Sequence, residues 1–234
     1  MTSRRFNVYG NLKMHAVSHV LQAYSEIAEG GFGLLVPYPY LGMAQSLLAD
    51  KGIEIGAQSV SEQPQGAYTS QVSAEMLSEI GISCVMVGHS EVRALGVDVS
   101  KQLAQVYDQG FKIIYCVGED SDAYEAGRRD DVLIEQLNAL PGLDNVTVAY
   151  EPVWSIGTGR VASIDDINQA VDVIRGHLAE SFPSISGDID VLYGGSINKN
   201  NCLEVFKQTR INGFLIGGAS LKPEIMLEVI RLCK

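Results

Sequence analysis

The sequence predicts a closed barrel of eight parallel strands, each followed by a helix, and three observations carry that expectation. Eight short apolar, β-branched runs recur along the 234 residues, each followed by a turn signal and a longer amphipathic stretch, the alternation that builds parallel sheets. Eight such units in this length match an α/β fold of (β/α)8 type, typically about 250 residues, better than an open doubly wound sheet with fewer strands. No linker, low-complexity tract or charge run divides the chain, so residues 1–234 read as one barrel domain.

Taken in order, the predicted strands are Phe6–Tyr9, Leu34–Val36, Ile53–Ile55, Cys84–Val87, Lys112–Cys116, Val146–Tyr150, Ile189–Tyr193 and Phe214–Ile216. After the first, Val17, Val20, Leu21, Tyr24, Ile27 and Ala28 fall on one stripe of a helix. After the sixth, Ile167, Ala170, Val171, Ile174 and Leu178 do the same, and each stripe can cover a sheet. Gly30, Gly52, Gly81 and Gly110 each follow a helical stretch and precede a strand, where a left-handed residue would stop the helix. Ser163 with Asp166 three residues later reads as a capping-box variant.

Composition narrows the function classes. Seventeen Lys+Arg against 28 Asp+Glu give a net charge of −11, and the basic residues are scattered singly, which argues against a nucleic-acid scaffold or an anionic membrane surface. No apolar run reaches the roughly 18 residues of a membrane span, and the N-terminus turns polar too soon for a secretory signal. Cys84, Cys116, Cys202 and Cys233 form no C-x-x-C pair and fit reduced core thiols, hence a cytoplasmic protein.

In a barrel of this kind chemistry belongs at the C-terminal ends of the strands, where the βα loops converge. Asn11-Leu12-Lys13 follows the first strand, Gly88-His89-Ser90-Glu91 the fourth and Glu151-Pro152-Val153-Trp154 the sixth. Singly, each is an ordinary polar loop residue. Together they supply what proton abstraction beside a carbonyl requires: a carboxylate base, with an imidazole and a fixed cation to stabilise enediolate charge. A second group is glycine-rich: Ile156-Gly157-Thr158-Gly159, Gly194-Gly195-Ser196 and Gly217-Gly218-Ala219-Ser220 follow the sixth, seventh and eighth strands. These read either as tight turns or, because they cluster after the late strands, as a cradle of backbone N–H groups for a phosphate. No Walker lysine or dinucleotide fingerprint accompanies them.

YGNLKM at 9–14, GHSEVR at 88–93, YEPVWSIGTG at 150–159, YGGSI at 193–197 and GFLIGGASL at 213–221 are together similar to the triosephosphate isomerases, in order and in strand placement, over essentially the whole chain. The resemblance implies a TIM barrel that interconverts dihydroxyacetone phosphate and D-glyceraldehyde 3-phosphate without a metal or organic cofactor. It implies Glu151 as the base and His89 as a neutral electrophile at a helix N-terminus. Lys13 would offset negative charge, Asn11 would orient substrate and Glu91 would hold Lys13. Gly157, Ser196, Gly217 and Gly218 would bind phosphate through backbone N–H groups. Pro152–Ala162 resembles a lid, with Trp154, Ile156 and Thr158 in it and Tyr193 and Ser196 closing it, to keep water from an enediolate phosphate that otherwise eliminates. The excursion Gln58–Met76, with Tyr68 and Thr69 near its middle, resembles the loop that enters a partner subunit, implying a homodimer.

Four positions depart from the family pattern: Leu12, His15, Val92 and Asp98 stand where tryptophan, asparagine, arginine and glutamate are usual. Val92 and the shortened Asp98 predict a thinner salt-bridge network beside the fourth strand, and none of the four removes a catalytic group. Two rivals are weighed against the isomerase. A phosphate-handling aldolase or lyase would want a Schiff-base lysine or a metal cluster, and a non-enzymatic barrel would be expected to have lost Glu151 or His89.

Overall fold

A computed structural model describes residues 6–156, 160–183 and 189–234. Among these, eight parallel strands close in sequence order: β1 (Asn7–Asn11), β2 (Gly33–Val36), β3 (Glu54–Ala57), β4 (Cys84–Val87), β5 (Lys112–Val117), β6 (Val146–Tyr150), β7 (Val191–Tyr193) and β8 (Gly213–Ile216). Closure is completed by β1 against β8, with Val8 opposite Phe214 and Gly10 opposite Ile216. The eight predicted runs are these strands, with ends moved by up to two residues.

Period two decides which side chains fill the barrel. Tyr9, Leu35, Cys84, Met86, Ile114, Cys116, Ala149, Leu192 and Leu215 form the interior cluster. Their neighbours in sequence, such as Val8, Leu34, Val85, Ile113, Tyr115, Val148, Val191 and Phe214, pack outward under the helices. At the lower end Tyr9 donates to Glu54 Oε2, which also meets Lys112 Nζ at 2.9 Å, so a polar plug closes the barrel opposite its mouth.

The helical layer consists of α1 (Ser18–Ile27), α2 (Leu41–Leu48), α3 (Ala74–Glu79), α4 (Ser90–Arg93), α5 (Val99–Val106), α6 (Ser121–Glu125), α7 (Arg129–Leu137), α8 (Ile164–Ser181), α9 (Cys202–Gln208) and α10 (Pro223–Cys233). In α1 the predicted stripe puts Val20, Leu21 and Tyr24 in the core. The capping box at Ser163 forms, with Asp166 N donating to Ser163 Oγ at 3.1 Å and Ser163 N to Asp166 Oδ2 at 3.3 Å. All four cysteines are free and buried.

One turn prediction is corrected. Gly52, Gly81 and Gly110 have positive φ, but after α1 that conformation falls on Gly31 at φ +94°. Gly30 serves another purpose: a Cβ there would lie 2.3 Å from the Lys51 carbonyl oxygen, so the glycine permits two backbone segments to touch. Two units also carry more helix than one strand–helix repeat requires, with α4 and α5 between β4 and β5 and α6 and α7 between β5 and β6.

Candidate active site

Extending the interior period by one step past each strand end carries polar groups into the mouth: Tyr9 leads to Asn11, Ala149 to Glu151, Leu192 to Gly194 and Leu215 to Gly217. These residues line a cavity of about 300 Å³ together with Lys13, His89, Ile156, Gly195, Ser196 and Gly218. Asn11, His89 and Glu151 are all buried beneath it.

Lys13 sits at φ +47°, a left-handed conformation unusual for a side-chain-bearing residue. Its N–H donates to Asn11 Oδ1 at 3.0 Å and its carbonyl accepts from Gln58 Nε2 at 3.0 Å. The same Gln58 amide reaches Leu35 O at 3.0 Å and Asn11 Oδ1 at 3.3 Å, and Ser220 Oγ donates to Asn11 O at 3.1 Å. The ammonium is held by Glu91 Oε1 at 2.5 Å. The Lys13 bond also draws the Glu91 carboxyl below its ordinary range, against the opposing effect of partial burial.

His89 precedes α4, and its Nδ1 accepts the N–H of Glu91 at 3.2 Å. On the other side of the ring, Nε2 lies 3.3 Å from Glu151 Oε1. Burial is the largest influence on Glu151 and raises its pKa, with His89 and Lys13 opposing. Glu151 Oε2 has no hydrogen-bond partner among the described residues. A buried carboxylate beside an imidazole and a fixed cation is equipped to take a proton from carbon while its neighbours stabilise oxyanion charge.

The segment expected from sequence to form a lid is tied at both described ends. Trp154, in a short turn at Val153–Ser155, donates Nε1–H to Glu119 Oε1 at 2.8 Å, where the Tyr150 hydroxyl also arrives at 3.1 Å. At the far end Ala162 N donates to the Tyr193 hydroxyl at 3.2 Å, and Ser196 Oγ donates to Ser155 O at 3.0 Å. Arg160 lies over the Trp154 ring at 5.2 Å, joining the two arms. Gly157 and Thr158, singled out from sequence, lie outside the described residues. Tyr68 and Thr69 are exposed on the excursion after β3 and take no part in this cavity.

Three contributors escape a reading of motifs. Gln58 braces the Asn11–Lys13 turn, Ser220 ties it to the segment after β8, and the buried Glu119, whose carboxyl is pushed up by desolvation, holds Trp154. The only local signal for Glu119 is its place two residues past β5, one step further along than Glu151 after β6. Asp98 caps α5 by accepting from Lys101 N at 3.2 Å and pairs with Lys101 Nζ at 3.1 Å. It does not reach Arg93, whose guanidinium bonds Gly88 O, Tyr115 Oη and Cys116 O. His15 is exposed and Leu12 fully buried. Among the described residues no cluster of three His, Cys, Asp or Glu could hold a metal ion, and no helix is long and apolar enough to cross a membrane.

Comparison with known proteins agrees with this geometry. The family model described as triosephosphate isomerase matches residues 6–233. The chain is 39% identical over 245 residues to the triosephosphate isomerase of Dechloromonas aromatica, covering 97% of this chain and 98% of the relative. It is 37% identical over 239 residues to that of Cupriavidus taiwanensis, covering 95% and 97%, and 36% identical over 247 residues to that of Ralstonia nicotianae, covering 99% and 100%.

Proposed function

The chain belongs to the triosephosphate isomerase family, and from that premise we propose how its residues carry the reaction, the interconversion of dihydroxyacetone phosphate and D-glyceraldehyde 3-phosphate in glycolysis and gluconeogenesis. The buried Glu151 carboxylate, 3.3 Å from His89 Nε2 and lining one cavity with Lys13 and Asn11, is the observation that carries the assignment. Glu151 takes a proton from the carbon next to the carbonyl, giving an enediolate, and returns it to the neighbouring carbon. His89 Nε2–H turns from Glu151 Oε1 to the substrate oxygens and donates to whichever bears the negative charge. Lys13, fixed by Glu91, offsets substrate and intermediate charge, and Asn11 orients the substrate. The N–H groups of Ser196, Gly217 and Gly218, together with Gly157, hold the phosphate. Trp154, Ile156, Thr158 and Tyr193 serve lid closure, which excludes water and strengthens these charge interactions. No cofactor is needed for this proton transfer.

The acidic bulk of the protein, at net −11, repels an anionic substrate, so the local field at the mouth must reverse it. Lys13 and the late-strand N–H groups do this at the place where the phosphate lands. The assembly proposed is a homodimer formed through the loop after β3, with Thr69 and Tyr68 at the contact. It is supported by apolar side chains left in water there and beside Lys13, where Tyr68 is 44% and Met14 95% exposed. A cytoplasmic location follows from the substrate class and the reduced thiols.

The test is isomerisation of D-glyceraldehyde 3-phosphate through a coupled dehydrogenase, with Glu151→Gln beside the native chain. The variant is expected to lose about 10³-fold or more in kcat, since a positioned base contributes roughly 10²–10⁴. Near-native turnover in the variant refutes Glu151 as the base.

A further inference from the structure

On the outer side of the catalytic carboxylate lies a second cavity of about 450 Å³, walled by the ends of β4 and β5, by α4, and by the start of the lid. It is larger than the catalytic cavity of about 300 Å³ and falls within the range that small ligands occupy. Two guanidinium groups, Arg93 and Arg128, line it. Among the described residues neither has a carboxylate within ion-pair distance, whereas the adjacent Arg129 pairs with Asp130 and Asp166.

Arg93 is half-buried and its partners are all neutral. Nε donates to Gly88 O at 2.7 Å, and Nη2 donates to Cys116 O at 3.0 Å and to Tyr115 Oη at 3.2 Å. Nη1 has no such bond. Gly88 has φ +78° and a Cβ on it would lie 2.7 Å from Nη2, so the guanidinium is seated against the backbone and cannot swing away cheaply. Carbonyl dipoles solvate such a cation only in part, and a charge left without a counter-ion in a low-dielectric wall is costly. Two carboxylates, Asp120 and Glu151, line the same cavity without pairing with either guanidinium. Asp120, on the rim, caps α6 by accepting from Ala123 N at 2.8 Å, and Glu151 directs Oε1 to His89 in the neighbouring cavity. Gln136 is spent on both the N–H and the carbonyl of Gly118, at 2.8 and 3.0 Å. Val117, Val132 and Val153, with Ala94 and Ala123, give the rest of the lining an apolar part.

We propose that this cavity binds a small organic monocarboxylate, its carboxylate between Arg93 Nη1 and the Arg128 guanidinium and its hydrocarbon body against the valines. A carboxylate fits better than a phosphate dianion because only one nitrogen of the seated guanidinium is still free to donate, and because the opposite wall rewards an apolar body. The two cavities share Glu151 in their linings, and the arginine end proposed to bind lies outside the catalytic cradle.

Benzoate is the probe. Calorimetric titration of the full chain, with inorganic phosphate already occupying the catalytic cradle, is expected to show benzoate binding at one site, with substrate KM unchanged by benzoate in the isomerase assay. Arg128→Gln, at an exposed position that leaves the fold intact, should weaken the binding about tenfold, the size of one charge-assisted hydrogen bond. Arg93→Met should abolish it. Absence of benzoate binding, its displacement by phosphate, a rise in KM with benzoate, or equal affinity in Arg128→Gln overturns the proposal. The Arg128 arm decides even if Arg93→Met does not fold.

Discussion

The turn after β1 and the excursion after β3 both hold a side-chain-bearing residue in the left-handed region, Lys13 at φ +47° and Ser70 at φ +80°, yet they are supported in opposite ways. Lys13 is braced from outside its own segment, by Gln58 from the end of β3, by Ser220 after β8 through Asn11, and by Glu91. Such strain costs of the order of 1–3 kcal/mol and persists where surroundings over-determine it. Around Ser70 the bonds are local: Tyr68 N to Gly66 O at 2.9 Å, Gln71 N to Tyr68 O at 3.1 Å, and Ser61 N to Val72 O at 2.8 Å closing the base. Residues 64–71 are exposed throughout. The first region is held by three other parts of the chain, as the role proposed for Lys13 requires. The second is an exposed surface loop held by bonds within its own segment, and it is the surface that the proposed homodimer would cover.

That contrast can be broken at several points. Lys13→Ala removes a charge aimed at the transition state, and kcat/KM is expected to fall by about 10²–10³ with the fold retained. Unchanged steady-state kinetics with a native circular dichroism spectrum would take Lys13 out of the site.

The pH profile comes next in size. Burial raises the Glu151 pKa, so the base is lost to protonation as pH falls through a value above the ordinary carboxylate range. There kcat/KM should drop about tenfold per pH unit. The same shift acts on stability with the opposite sense. A carboxyl whose folded pKa is raised stabilises the fold below its unfolded pKa, and that contribution is lost as pH rises through the folded pKa. Glu151→Gln should therefore gain Tm over the native chain on going from acid to neutral pH. A Tm difference that does not change with pH would mean the carboxylate is not desolvated as described.

Gln58→Leu tests the brace itself. Three acceptors, Asn11 Oδ1, Lys13 O and Leu35 O, lose their shared donor, and about 1–3 kcal/mol of stability should go with it. Loss should show in kcat more than in KM if the turn's geometry is what suffers, and thermal unfolding with steady-state kinetics reads both. Thr69→Glu should be the mildest on the isolated chain, within about 0.5 kcal/mol, as for an exposed substitution without partners. In sedimentation it should shift the protein toward monomer, and an unaltered dimer would undo the interface proposal.

Much of the site was legible because its residues are encoded locally. Asn11, His89 and Glu151 stand at or within two residues of the C-terminal ends of strands visible in the chain, and in a barrel those ends converge on one mouth. Gln58, Glu119 and Ser220 were not legible because each acts on a residue far away in sequence, with separations of 45, 35 and 209 for the bonds to Lys13, from Trp154 and to Asn11. Nothing in the residues around them announces those partners. Gly30 shows the same limit at the backbone level. A glycine after a helix reads as a left-handed stop, and only the approach of Lys51 reveals that close contact is what requires it.

By itself, then, the sequence determined the strand and helix order, the capping at Ser163, the chemistry gathered at the strand ends and the glycine-rich turns after the late strands. These follow from side-chain periodicity and from local φ/ψ preferences, which act within a few residues. Tertiary structure alone decided that β8 closes on β1, that His89 Nδ1 accepts the N–H of Glu91, that Glu151 is buried against His89, and that Arg93 and Arg128 line a second cavity without an ion-pair partner among the described residues. Those outcomes depend on which distant groups burial brings together and which hydrogen bonds are left over. Removal of water makes both costly enough to matter.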